Sequence, residues 1–150
     1  MPDEKFAYFD KAFDDQSLKE QEDKKMPKSK FFICRHCGNL IGMVHSSGVP
    51  VVCCGENMQE LIANATDASG EKHVPVVSFE GNTVTATIGS VEHPMTEEHY
   101  IQWLFLETEK GGQRKELKSG EKPEAKFTLI DDEPVGVYAY CNLHGLWYGA

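Results

Sequence analysis

Four cysteines restrict this chain more than any other feature: Cys34-x-x-Cys37, then fifteen residues, then the adjacent pair Cys53-Cys54. With no secretory leader ahead of it, such spacing reads as metal ligation before disulfides. Four thiolates so placed make a tetrahedral zinc or iron site. The flanking residues fit a small knuckle. Phe31-Phe32-Ile33 reads as a short strand, Gly38 allows the left-handed turn that points backbone amides at sulfur, and Leu40 to Val44 reads as a second strand. After the Ser46-Ser47-Gly48 turn, Val51-Val52 delivers the cysteine pair. So small a module could hardly fold without its metal. His36 and His45 lie inside it, but four thiols already complete a tetrahedron, so both are expected at the surface.

The fifth cysteine stands apart, in Cys141-Asn142-Leu143-His144. Three more histidines fall in turn-like or strand-end contexts: His73 after Glu71-Lys72, and His93 and His99 in His93-Pro94-Met95-Thr96-Glu97-Glu98-His99. Four histidines and one cysteine could surround one ion. Imidazole with a single thiolate points to a transition metal that changes oxidation state, since structural zinc needs four ligands and usually more sulfur.

Between these ligands the chain reads as short strands with turn signals. Val74 to Phe79 reaches the Glu80-Gly81-Asn82 turn, and Thr83 to Ile88 alternates apolar with hydroxyl residues as a half-buried strand should. Tyr100 to Thr108 is long and apolar with Gly111-Gly112 turning it, and Pro123 to Ile130 and Val135 to Cys141 supply two more strands. The expectation is an all-β chain with an antiparallel sandwich of about seven strands, its ligand loops gathered at one end. Three segments follow: a charged extension over 1–27, a knuckle module over 28–64 and the sandwich over 65–150. In the first, Phe6, Phe9 and Phe13 fall on one helical face, and Lys19 to Lys30 is polar enough for a linker. Met26-Pro27 looks like a fresh start, so the extension reads as an addition in front of a complete protein, and no chemistry is assigned to it.

The net charge of −9 argues against a nucleic-acid partner, because no basic surplus exists to displace counterions from phosphate. No apolar run reaches the ~20 residues that span a bilayer. Met1-Pro2-Asp3-Glu4-Lys5 lacks the start of a secretory signal, so a cytoplasmic protein is expected.

Residues 26–150 closely resemble desulfoferrodoxin, the two-iron-centre form of superoxide reductase. The matching segments are Cys34-Arg35-His36-Cys37-Gly38-Asn39, Cys53-Cys54-Gly55-Glu56, Glu71-Lys72-His73-Val74-Pro75-Val76, Gly89-Ser90-Val91-Glu92-His93-Pro94-Met95 and Cys141-Asn142-Leu143-His144-Gly145. The resemblance implies a desulforedoxin-like domain with an Fe(Cys)4 centre, where zinc could substitute, followed by an immunoglobulin-like sandwich. It implies a catalytic iron with His73, His93, His99 and His144 equatorial and Cys141 axial. It also implies that Glu71 occupies the sixth position after oxidation and that Lys72 sits beside the open face. The implied reaction is one-electron reduction of superoxide to hydrogen peroxide, fed by a donor such as rubredoxin, in a homodimer. Two rivals remain. A blue-copper electron carrier uses a late Cys and His but usually a weak axial Met, and no methionine follows His144. A zinc-ribbon interaction module would hold zinc at Cys34, Cys37, Cys53 and Cys54 only.

Overall fold

The computed structural model describes residues 26–66 and 68–150. The expected helix carrying Phe6, Phe9 and Phe13, and the first part of the expected linker, lie outside the described residues. Short strands open the described chain: β1 (Phe31–Ile33), β2 (Leu40–Gly42), β3 (Val52–Cys53), β4 (Glu56–Asn57) and β5 (Gln59–Glu60). They form an antiparallel sheet in the order β2-β1-β5 and a separate β3-β4 hairpin. One helical turn, α1 (Gly70–His73), follows. Then come β6 (Pro75–Glu80), β7 (Thr83–Ile88), β8 (Ile101–Thr108), β9 (Gly111–Glu116), β10 (Glu124–Thr128), β11 (Pro134–Cys141) and β12 (Gly145–Gly149). Seven strands thus make two antiparallel sheets, β10-β7-β6 and β12-β11-β8-β9, packed as an immunoglobulin-like sandwich.

Alternation builds the core. Val84, Ala86 and Ile88 of β7 are wholly buried while Thr83, Thr85 and Thr87 point outward. They meet Leu104 and Leu106 of β8 and Val137 and Ala139 of β11 across the sandwich, with Phe127 of β10 beside them. Each of the Val, Leu, Ile and Phe side chains, removed from water, contributes about 1.5–3 kcal/mol.

β8 and β11 are apolar on both faces, and the knuckle module explains why. Trp103, Tyr138 and Tyr140 point to the outer face of the four-stranded sheet, where Phe31, Leu40 and Leu61 cover them. The Phe31 ring lies 5.0 Å from Trp103, 5.5 Å from Phe105 and 5.3 Å from Tyr138, the last two edge-on. Edge-on contact suits the ring quadrupoles. Beside this cluster the buried Glu107 carboxylate accepts the backbone N–H of Lys28 (2.8 Å) and of Ser29 (2.5 Å), and the Ser29 hydroxyl. The first strand therefore arrives already fixed to the sandwich.

Two expectations need correction, and one strand lies outside them. Gly111-Gly112 do not form the turn after β8; the turn is Glu109-Lys110, and both glycines open β9 opposite Thr108 and Glu107. β9 itself escapes a hydrophobic reading because it is an edge strand, with Arg114, Lys115 and Glu116 exposed, as edges that resist further pairing are. The strand expected over Leu40 to Val44 ends at Gly42.

Candidate metal centres

At the knuckle, β1 hands Cys34 to a tight turn. Gly38 N–H donates to the Cys34 carbonyl (2.9 Å) and Cys34 N–H to that of Asn39 (2.8 Å). Gly38 takes φ +83°, which only glycine adopts cheaply, and this turns the Asn39 N–H toward Cys37 Sγ at 3.5 Å. The β3-β4 hairpin delivers Cys53 and Cys54 from the other side, turning at Cys54 and Gly55 with φ of 51° and 77°. Cys37 and Cys53 sulfurs are 3.6 Å apart, Cys53 and Cys54 sulfurs 4.0 Å, and all four sulfurs lie within 4.8 Å of one another. Thiolates held tetrahedrally about 2.3 Å from one ion stand roughly 3.8 Å apart, so the spacing is that of a metal site. None of the cysteines is in a disulfide.

Charge within the cluster points the same way. The Cys37 backbone N–H helps pull the Cys34 thiol down to about 6, while hydrogen bonding to the thiols of Cys34 and Cys37 pushes Cys54 up to about 12. One thiolate forms readily and opposes the next, and a central cation removes that opposition. His36 and His45 are exposed, as expected, His36 pairing with Glu56 at 3.0 Å on the outside of the hairpin.

The second cluster is built at one end of the sandwich from three ligand-bearing segments. α1 carries His73 and is clamped by the turn after β7: Val91 N–H donates to the Glu71 carbonyl (3.0 Å) and Gly89 N–H to that of Val74 (3.2 Å). Gly89 sits at φ +79°, and a Cβ there would come within 2.7 Å of the Glu71 carbonyl oxygen. The β7-β8 loop carries His93 and His99, and the β11-β12 turn carries Cys141 and His144. A register shift at Tyr140/Cys141 marks the end of β11.

The four imidazoles form a square. Neighbouring ring centroids are 4.6 Å (His73–His93), 4.7 Å (His93–His99), 5.0 Å (His99–His144) and 4.8 Å (His144–His73) apart, each pair crossing at 76° to 87°. The His73–His99 diagonal is 6.3 Å with rings 30° apart. His73 Nδ1–H donates to the Ser69 carbonyl and His93 Nδ1–H to that of Pro94, both at 2.6 Å, which leaves each Nε2 as a lone pair. His93 Nε2 and His99 Nε2 are buried without a partner. His73 Nε2 and His144 Nδ1 face each other at 3.0 Å, the edge of a square of nitrogens about 2.1 Å from one centre. Cys141 Sγ lies 3.8 Å from His144 Nδ1 and is wholly buried in the sandwich core. Buried lone pairs converging on one point need a cation. The ligand atoms of His73, His99, Cys141 and His144 all fall within 4.8 Å, and His93 stands beside them.

Burial disfavours the charged form of three of the imidazoles, lowering the His73 and His99 pKa values and taking His93 down to about 4. Burial pushes the Cys141 thiol up, opposed by the N–H groups of His144 and Leu143. Glu71 and Lys72 are exposed on α1, next to the site, and the Lys72 charge is felt by both His73 and His99. Met95 packs against the core, where its sulfur accepts the Ile101 N–H at 3.4 Å.

Two residues that the sequence reading passed over hold the ligand loops in place. Asn142 bonds both Tyr100 and the Glu98 carbonyl, and Thr96 closes its loop on His99 through its own hydroxyl, with the His99 N–H donating to that oxygen at 3.1 Å. Asparagine immediately after Cys141 was the available signal.

An all-β chain with a four-thiol knuckle and a four-histidine, one-cysteine cluster defines a two-centre non-haem metalloprotein. Residues 65–150 match the Desulfoferrodoxin family. A desulfoferrodoxin homolog of Archaeoglobus fulgidus is 46% identical over 76% of this chain and 90% of its own length. The desulfoferrodoxin of Nitratidesulfovibrio vulgaris is 42% identical over 79% of this chain and 93% of its own. The crystal structure of the superoxide reductase from Treponema pallidum superposes with a TM-score of 0.70 at 42% identity, covering 83% of this chain and all of that one. The chain belongs to the desulfoferrodoxin family.

Proposed function

We propose that the chain is a superoxide reductase, converting superoxide to hydrogen peroxide with one electron and two protons. The observation that carries this is the square of imidazoles, two with buried partnerless nitrogens, beside a core thiol. Iron suits that donor set, and His73, His93, His99, His144 and Cys141 would hold it. Bound there, iron supplies the single electron and a Lewis-acidic position for the anion.

The remaining roles fall to the chain. Cys141 is wholly buried, whereas α1 exposes Glu71 and Lys72 beside the histidines, the side from which an anion would arrive. Lys72 supplies positive charge there, and among the described residues its ammonium has no ion-pair partner. Glu71, its neighbour, is the carboxylate that would occupy that side after oxidation. The Ser69 and Pro94 carbonyls hold His73 and His93 in the tautomer whose Nε2 faces inward.

Cys34, Cys37, Cys53 and Cys54 hold a second iron, with zinc as the substitute the same thiols accept. The exposure of Cys37 and Cys54 suits electron entry from a small carrier such as rubredoxin. The division into units 28–64 and 65–150, a homodimer and a cytoplasmic location complete the proposal. Exposed Val44, Val49 and Val52 on the knuckle are the surface a second copy would cover. No helix among the described residues is long and apolar enough to cross a membrane.

The test is metal content together with product stoichiometry. Two irons per chain and one hydrogen peroxide per superoxide, without oxygen release, are expected. Half as much peroxide with oxygen evolved would mean dismutation, and copper or zinc without turnover would mean one of the rival readings.

A further inference from the structure

Trp147 is 3% exposed, and its indole lies on the His73 ring with centroids 4.7 Å apart and planes at 25°. Its Nε1–H is buried without an acceptor. Such an orphaned donor costs about 1–3 kcal/mol, so packing alone would favour phenylalanine or leucine here. Residues that break a local rule gather where function needs them. Among the described residues, His73 is the one imidazole of the four with an aromatic neighbour other than histidine. One edge of the His73 ring is fixed by the Ser69 carbonyl, the other faces His144, and Trp147 takes a face.

We propose that Trp147 is a positioning residue for His73 that also lowers the reduction potential of the metal held by the histidine square. This rests on the superoxide reductase reading above. The indole face carries negative potential. An imidazole bound to a cation becomes electron-poor, and more so as the cation's charge rises, so a stacked indole favours the oxidised state, by the logic of a cation over a ring. The His73–His99 pair is therefore unequal across the square. His73 is held by a carbonyl and an indole, whereas His99 is held through its backbone by Thr96.

Redox titration of the iron-loaded full chain, followed through its visible absorption, tests this with Trp147→Leu and Trp147→Phe. Trp147→Leu should favour the ferrous state three- to tenfold, a rise of about 30–60 mV for one electron. Its thiolate-to-iron band should move with it. Trp147→Phe, which keeps a weaker ring on His73, should move the potential by less than half as much and decides the matter if the leucine variant fails to load iron. Unchanged potential and absorption in an iron-loaded Trp147→Leu chain, or an unmoved Trp147→Phe where leucine fails to load, overturns the proposal. Wild type that consumes superoxide while the variants titrate identically to it removes this inference alone. Wild type that takes up no redox-active iron removes the parent reading as well.

Discussion

Asn142 and Tyr100 are joined by a reciprocal pair of hydrogen bonds. Asn142 N–H donates to the Tyr100 carbonyl at 3.2 Å, and Tyr100 N–H donates to Asn142 Oδ1 at 3.0 Å. The Asn142 amide also donates to the Glu98 carbonyl at 2.8 Å. The turn bearing Cys141 and His144 is thus stitched to the loop bearing His99, and neither could move without the other.

Asn142→Ala should leave the sandwich folded and loosen the metal. Two of its three bonds use the side chain, and their loss frees His99 from the register of Cys141. Outer partners of metal ligands are typically worth 10–100-fold in affinity. Chelator competition on the iron-loaded chain measures it; affinity unchanged from wild type would mean that the backbone alone fixes the loop.

The metal-free chain should lose stability in acid through its histidines. His93 has a pKa of about 4 in the folded chain against 6.5 in an exposed one, and His73 and His99 are lowered too. The unfolded chain therefore binds protons that the native one refuses. Stability is complete above about pH 6.5 and falls from there toward pH 4, by roughly 3 kcal/mol from His93 alone. Urea unfolding of the metal-free protein at pH 7.5, 6 and 5 checks the sign, and a midpoint that holds or climbs on acidification would contradict it.

Glu107→Gln should release the first strand from the sandwich. The carboxylate accepts from Lys28 and Ser29 while 5% exposed, and its charge contributes, after burial itself, to the raised pKa values of Tyr138 and Tyr148. The amide keeps one oxygen for these donors but loses the charge that strengthens their bonds, and it sets an NH2 group against the Lys28 N–H where Oε2 lies at 3.1 Å, at a cost of about 1–3 kcal/mol. Hydrogen exchange at residues 28–33 should quicken while that of β7 does not.

The sequence disclosed most where side chains had to alternate or ligate. Thr83–Ile88 announced its strand by period, and the knuckle thiols and the histidine set were legible because few structures need those residue types so close. What stayed hidden depended on contacts distant in the chain. Trp103 and Tyr140 looked like ordinary apolar strand residues, yet their outer faces are covered by Phe31 from the other module. β12, whose Leu146 and Trp147 face opposite ways, was too short and too close to the ligand turn to read as a strand. The single turn α1 carried no periodic signal at all, being fixed from outside by Gly89 and Val91.

Lys72 poses the sharpest test, because the substrate is an anion and the chain carries a net charge of −9. At long range such a protein repels superoxide, so rapid capture requires positive potential close to the open position. Lys72 is exposed on α1, directly before the buried His73, and its charge reaches His73 and His99. Lys72→Ala should slow the bimolecular reaction by about tenfold or more, within the 10–10³ range that steering supplies. Salt should separate the two proteins. The screening length shrinks from roughly 30 Å at 0.01 M to about 10 Å at 0.1 M, which weakens attraction by a local cation and relieves repulsion by the acidic surface. Wild type should hold steady or slow as salt rises, whereas the variant, left with repulsion only, should speed up. Pulse radiolysis across ionic strengths reads both slopes, and parallel slopes would make Lys72 a bystander whose charge the substrate never feels.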